Sequence, residues 1–285
     1  MSRYPKHAIN ALVGQACGDA FGAPFEYHPK AYSWAQHSLA EGRYLDSVVD
    51  VRNKTKWSRV PGLYTDDTQQ ALILMRAFID LDDIDETGDY FMAEARKMAA
   101  VKIPGASFGV HRGTGSNFRM AVMSNKPVPT AGMGAAMRIG PGATMFETMA
   151  EAITWGAQVS QATTTDPLGL GMAALFAAHC WSAAHEDIDA TMDLLTRLET
   201  PPPAVALYGC PERIWRLCIS NLRLVRRGDL KLPLFFGQQF TRTPLESIAG
   251  GFGLTGVPWA ITHGLKHDTF EATLEGVCSE GRDTD

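Results

Sequence analysis

Apolar residues recur at three- and four-residue spacing along most of the chain, the repeat that lines one face of an α-helix. Between Thr68 and Asp80 the apolar positions are Ala71, Leu72, Leu74, Met75, Phe78 and Ile79. Comparable patterns run over 145–159, 170–184, 188–198, 214–225, 248–261 and 270–278, and a first helix is expected from about Ala8 to Phe21. No run alternates convincingly with the period of two that marks a half-buried strand. Helix breakers fall between these stretches at Pro104-Gly105, Gly113 to Gly115, Pro127 to Pro129, Gly140-Pro141-Gly142, Pro201 to Pro203, Gly209 to Pro211 and Pro233. The pattern predicts an all-α, single compact multi-helix domain over residues 1–285, with no composition shift, repeat or low-complexity segment to mark a boundary.

Composition narrows the functional classes. A chain of 285 residues with 45% hydrophobic content can bury a substantial core. Its 26 Lys and Arg against 31 Asp and Glu give a net charge of −5, which argues against a nucleic-acid partner held by bulk charge. Charged residues are read as interrupting every apolar run short of the roughly 18 residues a membrane span needs, and the start of the chain lacks the apolar stretch of a signal peptide. The expectation is therefore a cytoplasmic protein with no membrane partner. The five cysteines are odd in number and scattered, which suits free thiols better than disulfides or a zinc site.

The first helix carries Gly14, Gly18 and Gly22 at four-residue steps, each costing about 1 kcal/mol of helix propensity relative to alanine. Such a stripe permits close approach of another helix or of a ligand, and simple helix packing is the favoured reading on spacing alone.

The sharpest local feature is Tyr64-Thr65-Asp66-Asp67-Thr68-Gln69, immediately before the strongly periodic helix. Asp66 as N-cap with Gln69 at the third helical position would form a variant capping box. Capping uses only one oxygen, however, whereas four adjacent side chains here offer oxygen ligands of the kind Mg²⁺ prefers. A second acidic alternation, Asp283-Thr284-Asp285, reads by itself as a solvated tail. Two glycine-rich segments, Gly113 to Asn117 followed by Arg119 and Gly132 to Arg138, place flexible amides beside an arginine, a combination suited to phosphate. His263 and His267 lie four apart but lack the rest of a zinc motif, and read as exposed or locally hydrogen-bonded histidines.

In order along the chain these features are Gly18-Asp19-Ala20-Phe21-Gly22-Ala23-Pro24-Phe25-Glu26, Thr65-Asp66-Asp67-Thr68, Gly132 to Arg138, and a terminal Asp-Thr-Asp. Over essentially its whole length the sequence resembles the ADP-ribosylglycohydrolase family, which includes dinitrogen-reductase-activating glycohydrolases and the ADP-ribosylarginine and ADP-ribosylserine hydrolases. The resemblance implies an all-α fold around a two-metal centre of Mg²⁺ or Mn²⁺. By that likeness Thr65, Asp66 and Asp67 would be metal ligands from one side, and Asp283 and Asp285 from the other. Glu26 would act as acid/base, with Asp66 and Asp67 completing the catalytic set. Gly115, Ser116, Gly132, Gly134 and Arg138 would bind the diphosphate and proximal ribose of the substrate.

The implied activity is metal-dependent hydrolysis that removes ADP-ribose from an ADP-ribosylated protein side chain or a related ADP-ribose conjugate, by cleavage at the distal anomeric carbon through an oxocarbenium-like transition state. The sequence departs from the family pattern in four places. Met133 stands within the usual G-N-G, Thr164 replaces the histidine of T-H, Arg282 replaces the glycine before D-x-D, and the family's next Thr and its C-terminal helix lie past Asp285. These departures favour, as the alternative, a degenerate member that binds ADP-ribose or a modified partner without turnover. A purely structural all-α protein is a third reading, and it leaves the ordered motifs unexplained.

Overall fold

The computed structural model describes residues 5–23, 47–50, 55–58, 62–103, 106, 108–226 and 252–278. Helices α1 (Lys6–Gly22), α2 (Asp66–Asp80), α3 (Thr87–Ala100), α4 (Ser116–Ser124), α5 (Gly140–Ala143), α6 (Met149–Ser160) and α7 (Pro167–His185) are followed by α8 (Ile188–Met192), α9 (Leu194–Arg197), α10 (Pro203–Leu207), α11 (Glu212–Arg226), α12 (Gly253–Lys266) and α13 (Phe270–Cys278). The expected all-α class holds. One addition is a two-stranded antiparallel hairpin, β1 (Ser47–Asp50) with β2 (Thr55–Ser58), in which Val48 pairs with Trp57. Strands of four residues are too short for an alternation to stand out in sequence.

The core is organised around α7, which packs against α5, α6, α11 and α12. Between Asp166 and Glu186 this helix has no Asp, Glu, Lys or Arg, so the sequence expectation that charges break every long apolar run is wrong here. By length and composition α7 could cross a membrane, but most of it is buried in the protein, including Leu170, Met172, Leu175 and Ala178. A helix surrounded by other helices needs no polar face. Gly156 of α6 lets the two helices approach closely, since a Cβ there would lie 2.9 Å from that of Ala177.

Other boundaries shift for local reasons. The helix expected from 145 begins at Met149, because Thr148 and Glu151 form a reciprocal capping box. The stretch expected as one helix over 188–198 divides into α8 and α9 at Asp193, which ends the first and precedes the second. The Gly140-Pro141-Gly142 breaker is itself a buried helical turn, α5, with the proline at its start where a missing N–H costs nothing. Helices α3 and α4 do not stand out in the pattern; their buried apolar residues are few, Phe91, Met92 and Ala95 on α3 and Phe118, Ala121 and Val122 on α4. The expected start of the helix at Ile248 and the breakers Pro104-Gly105 and Pro233 lie outside the described residues.

All five cysteines are free. Burial pushes the Cys210 thiol up to about 12 and Cys218 well above its ordinary value, so neither is an activated nucleophile.

Close packing at α5 yields a stability test. A Cβ on Gly142 would lie 2.2 Å from Cη2 of Trp155 and within about 3 Å of two further ring carbons. Gly142→Ala is expected to destabilise by about 1–3 kcal/mol, the usual range for overpacking. In a Trp155→Phe background, where the larger ring is gone, the same substitution should cost much less. Denaturant unfolding of the four proteins in that cycle measures the coupling, and equal costs in both backgrounds would refute the contact.

Candidate functional site

The site grows from the N-terminus of α2, which points into the protein. A helix start leaves backbone amides without intrahelical acceptors, and buried amides must find other partners. Thr65, not Asp66, is the N-cap, and its Oγ1 accepts a long bond of 3.5 Å from the Asp67 amide. Gln69 does not reach back to close a capping box; its amide group donates to the Val110 carbonyl at 3.0 Å and accepts from the Arg112 amide at 3.0 Å.

The stronger cap comes from α1. Asp19, 3% exposed, accepts from the Thr65 amide at 2.8 and 2.9 Å through its two oxygens. Its Oδ2 also accepts from the Thr68 amide at 3.1 Å and the Thr68 hydroxyl at 2.7 Å. One turn earlier on α1, Gln15 donates to the carbonyls of Asp67 at 3.1 Å and Met137 at 2.9 Å. Asp19 stands in the Gly18–Glu26 motif, whose pattern by itself assigns it no role. The single acidic residue of a glycine-spaced helix was the signal available.

Asp66 and Asp67 have different surroundings. Asp66 is buried, and its Oδ2 accepts from Gln70 Nε2 at 2.7 Å. Gln70 Oε1 accepts in turn from Arg138 Nη1 at 3.0 Å. Asp67 lines a cavity of about 390 Å³ together with Gly14, Gln15, Met137 and Leu274, and its Oδ2 accepts from Thr65 Oγ1 at 3.4 Å.

Arg138, expected beside a phosphate, is 1% exposed and lies in the interior behind the acidic turn. It donates to Gln70, to the Gly134 carbonyl at 3.0 Å and to Thr163 Oγ1 at 2.5 Å, and its guanidinium stacks 4.5 Å over the Phe91 ring. Burial pushes it down to about 9, while the Asp66 carboxylate pulls the other way, so it remains a cation at neutral pH. Those bonds and that charge are what make a buried arginine tolerable.

Both glycine-rich segments reach this place. Gly113, at φ +76°, lies against the acidic turn; a Cβ there would be 3.1 Å from Asp66 Oδ1 and 3.3 Å from Thr65 Cβ. The same loop is held from behind by His111, whose Nε2 bonds the Ala95 carbonyl at 2.8 Å, and by Arg119, which donates to Thr114 Oγ1 at 2.8 Å. Gly115 caps α4, and Ser116, its first residue, is exposed. Asn117 then donates at 2.9 Å to Thr130 Oγ1, which also accepts from the Gly132 amide at 3.2 Å. A Cβ on Gly115 or Gly134 would meet nothing within 4 Å, so both stand beside open space.

The glycine stripe of α1 serves two ends. Gly18 packs on α13, where a Cβ would lie 3.6 Å from Leu274 Cδ2, whereas Gly14 meets nothing within 4 Å and faces the cavity. Glu26, Asp283 and Asp285 lie outside the described residues. Among the described residues no three His, Cys, Asp or Glu side chains gather as a metal cluster. His263 and His267 form the local pair expected of them, Nδ1 to Nε2 at 3.3 Å. The donors that do gather, the Thr65 hydroxyl and the two carboxylates, are all oxygens and fit a hard divalent cation.

Comparison with known proteins gives a consistent result. No curated protein sequence matches the chain. Among solved structures it is similar to an ADP-ribosylglycohydrolase-related protein complex, at 19% identity and a TM-score of 0.62, over 98% of this chain and 82% of that one. At that identity the likeness speaks for the fold. A sequence model of the ADP-ribosylglycohydrolases matches residues 2–285, essentially the full length. The chain belongs to the ADP-ribosylglycohydrolase family.

Proposed function

We propose that this protein is a metal-dependent hydrolase that removes ADP-ribose from a modified protein side chain or a related conjugate. The observation that carries the reading is the acidic turn itself: Asp66 backed by Gln70 and Arg138, and Asp67 at the wall of a cavity. Thr65, Asp66 and Asp67 would hold Mg²⁺ or Mn²⁺, with Asp283 and Asp285 as the expected ligands from the opposite side. Such a cation, when bound, supplies Lewis-acid polarisation of oxygen at the reacting sugar.

The chain's own contribution is largely positioning. Water adds at the anomeric carbon while its bond to the leaving nitrogen or oxygen breaks, and positive charge develops on the ribose. The carboxylates of the acidic turn favour that charge. Glu26 is the proposed acid/base. The open backbone at Gly115 and Gly134, with Ser116 between them in sequence, would receive the diphosphate end, the α4 N-terminus adding its partial positive charge.

A second reading, binding without turnover, has an observation in its favour. At the position of the family's usual histidine, Thr164 is buried and spends its hydroxyl on the Thr130 carbonyl at 2.6 Å and the Asp166 amide at 3.0 Å. It offers a ligand nothing.

Asp67→Ala is the cleaner of two substitutions. It is expected to abolish hydrolysis across a panel of ADP-ribosyl conjugates while changing stability by no more than about 1 kcal/mol, the size of an acidic first-turn residue's interaction with the helix dipole. Asp66→Ala should abolish activity too, but with an added loss of about 1–3 kcal/mol because the buried Gln70 amide loses its acceptor. Full activity in Asp67→Ala at millimolar Mg²⁺ would refute the metal assignment.

Metal should also stabilise the chelated protein in a saturable way, since the ligands assemble only in the folded state. A free Mn²⁺ concentration about 100 times Kd corresponds to about 2.7 kcal/mol. Thermal unfolding against Mn²⁺ concentration measures this, and an unchanged Tm would count against the site.

A further inference from the structure

We propose that Asp19 and Gln15 are positioning residues that set the cation affinity of the acidic turn, an inference that rests on the metal reading above. Four hydrogen bonds from Thr65 and Thr68 converge on the Asp19 carboxylate. Gln15, four residues earlier on the same face of α1, fixes the Asp67 carbonyl. Together the two side chains hold the backbone before, within and after the Asp66-Asp67 pair.

Geometry distinguishes this arrangement from ordinary helix capping. A cap that served stability alone could be local, as at Thr148 and Glu151 of α6. At α2 the local cap, Thr65, accepts from the Asp67 amide over a long 3.5 Å, whereas Asp19, 46 residues before Thr65, accepts from both the Thr65 and the Thr68 amides. The direction in which Asp66 and Asp67 project is thus dictated by the register of α1 on α2. Asp19 is buried at the edge of the cavity and its Oδ2 takes three protein hydrogen bonds, so its role is to hold the turn rather than to serve as a ligand. Its negative charge nevertheless lies beside the two carboxylates and adds to the field that favours a cation. Supporting groups of this kind, one layer behind the ligands, typically change metal affinity by about 10–100-fold.

Asp19→Asn keeps the shape of the side chain but removes the charge and turns one acceptor into a donor facing an N–H or the Thr68 hydroxyl. The test is direct titration of the chelated full chain with Mn²⁺, followed by calorimetry or by the free-ion EPR signal, with circular dichroism to confirm folding. Asp19→Asn is expected to weaken Mn²⁺ binding by about 10–100-fold, and Gln15→Met and Thr68→Val by smaller factors in the same direction. Trp155→Phe on α6, remote from the turn, serves as a control of reduced stability that should keep wild-type affinity. Wild-type Mn²⁺ affinity in folded Asp19→Asn overturns the proposal while leaving the metal reading intact. If Asp19→Asn does not fold, wild-type affinity in both Gln15→Met and Thr68→Val overturns it. Absence of Mn²⁺ binding to the wild-type chain overturns the metal reading and this inference with it.

Discussion

A helix start buried in the protein interior is the constraint on which the rest of the structure turns. The Thr65 and Thr68 amides at the start of α2 are buried, the local cap is long, and an unpartnered buried amide costs about 1–3 kcal/mol. The carboxylate of Asp19 meets that demand from α1. Once it does, α1 must lie across the α2 N-terminus in one register, with Gly18 against α13 and Gly14 beside the cavity. A residue that answers a backbone requirement therefore also decides where two acidic side chains stand.

Charge balance in the interior follows the same logic. Asp19 and Asp66 are both buried carboxylates, and such anions are sustained by donors and compensating charge. Asp19 takes its donors from the helix terminus, whose partial positive charge favours an anion. Asp66 takes its donor from Gln70, whose orientation is fixed because its other atom accepts from Arg138. Arg138 in turn bonds Gly134 and Thr163, so the second glycine-rich segment is tied to the acidic turn through one cation. The arginine is adjacent to the glycines as sequence reasoning expected, yet its charge is used inward.

What was legible in the sequence depended on the range of the interactions involved. Periodicity located α2, α7, α11 and α13 closely because burial of one face, or of the whole helix for α7, is written in local spacing. Composition around 65–69 marked a helix start and an oxygen cluster, but assigned the cap to the wrong residue. The side chain that wins that role arrives from α1, and no local pattern records it. The inward turn of Arg138 was hidden for a related reason: G-x-G-x-x-M-R reads the same whether the guanidinium meets phosphate or Phe91 and Thr163. The buried turn at 140–143 was read as a breaker because glycine and proline punctuate exposed loops, whereas here Gly142 yields its space to the Trp155 ring.

Met133, where the resemblance to the family leads one to expect a polar residue, is accommodated by its surroundings. Met133 lies in the wall of the cavity, against Gly256 of α12. A Cβ on Gly256 would fall 1.8 Å from the Met133 sulfur, so the long side chain at one position requires the missing side chain at the other. The backbone around it is also secured: the Gly253 amide donates to the Ala131 carbonyl at 2.8 Å, and Gly132 bridges to Phe252. A thioether packed on a helix in this way contributes apolar surface and no strong donor to the space beside the acidic turn. Under the proposed function, recognition on this side of the site would fall to backbone groups of the glycine segments, and the charged chemistry to the turn that Asp19 and Gln15 hold.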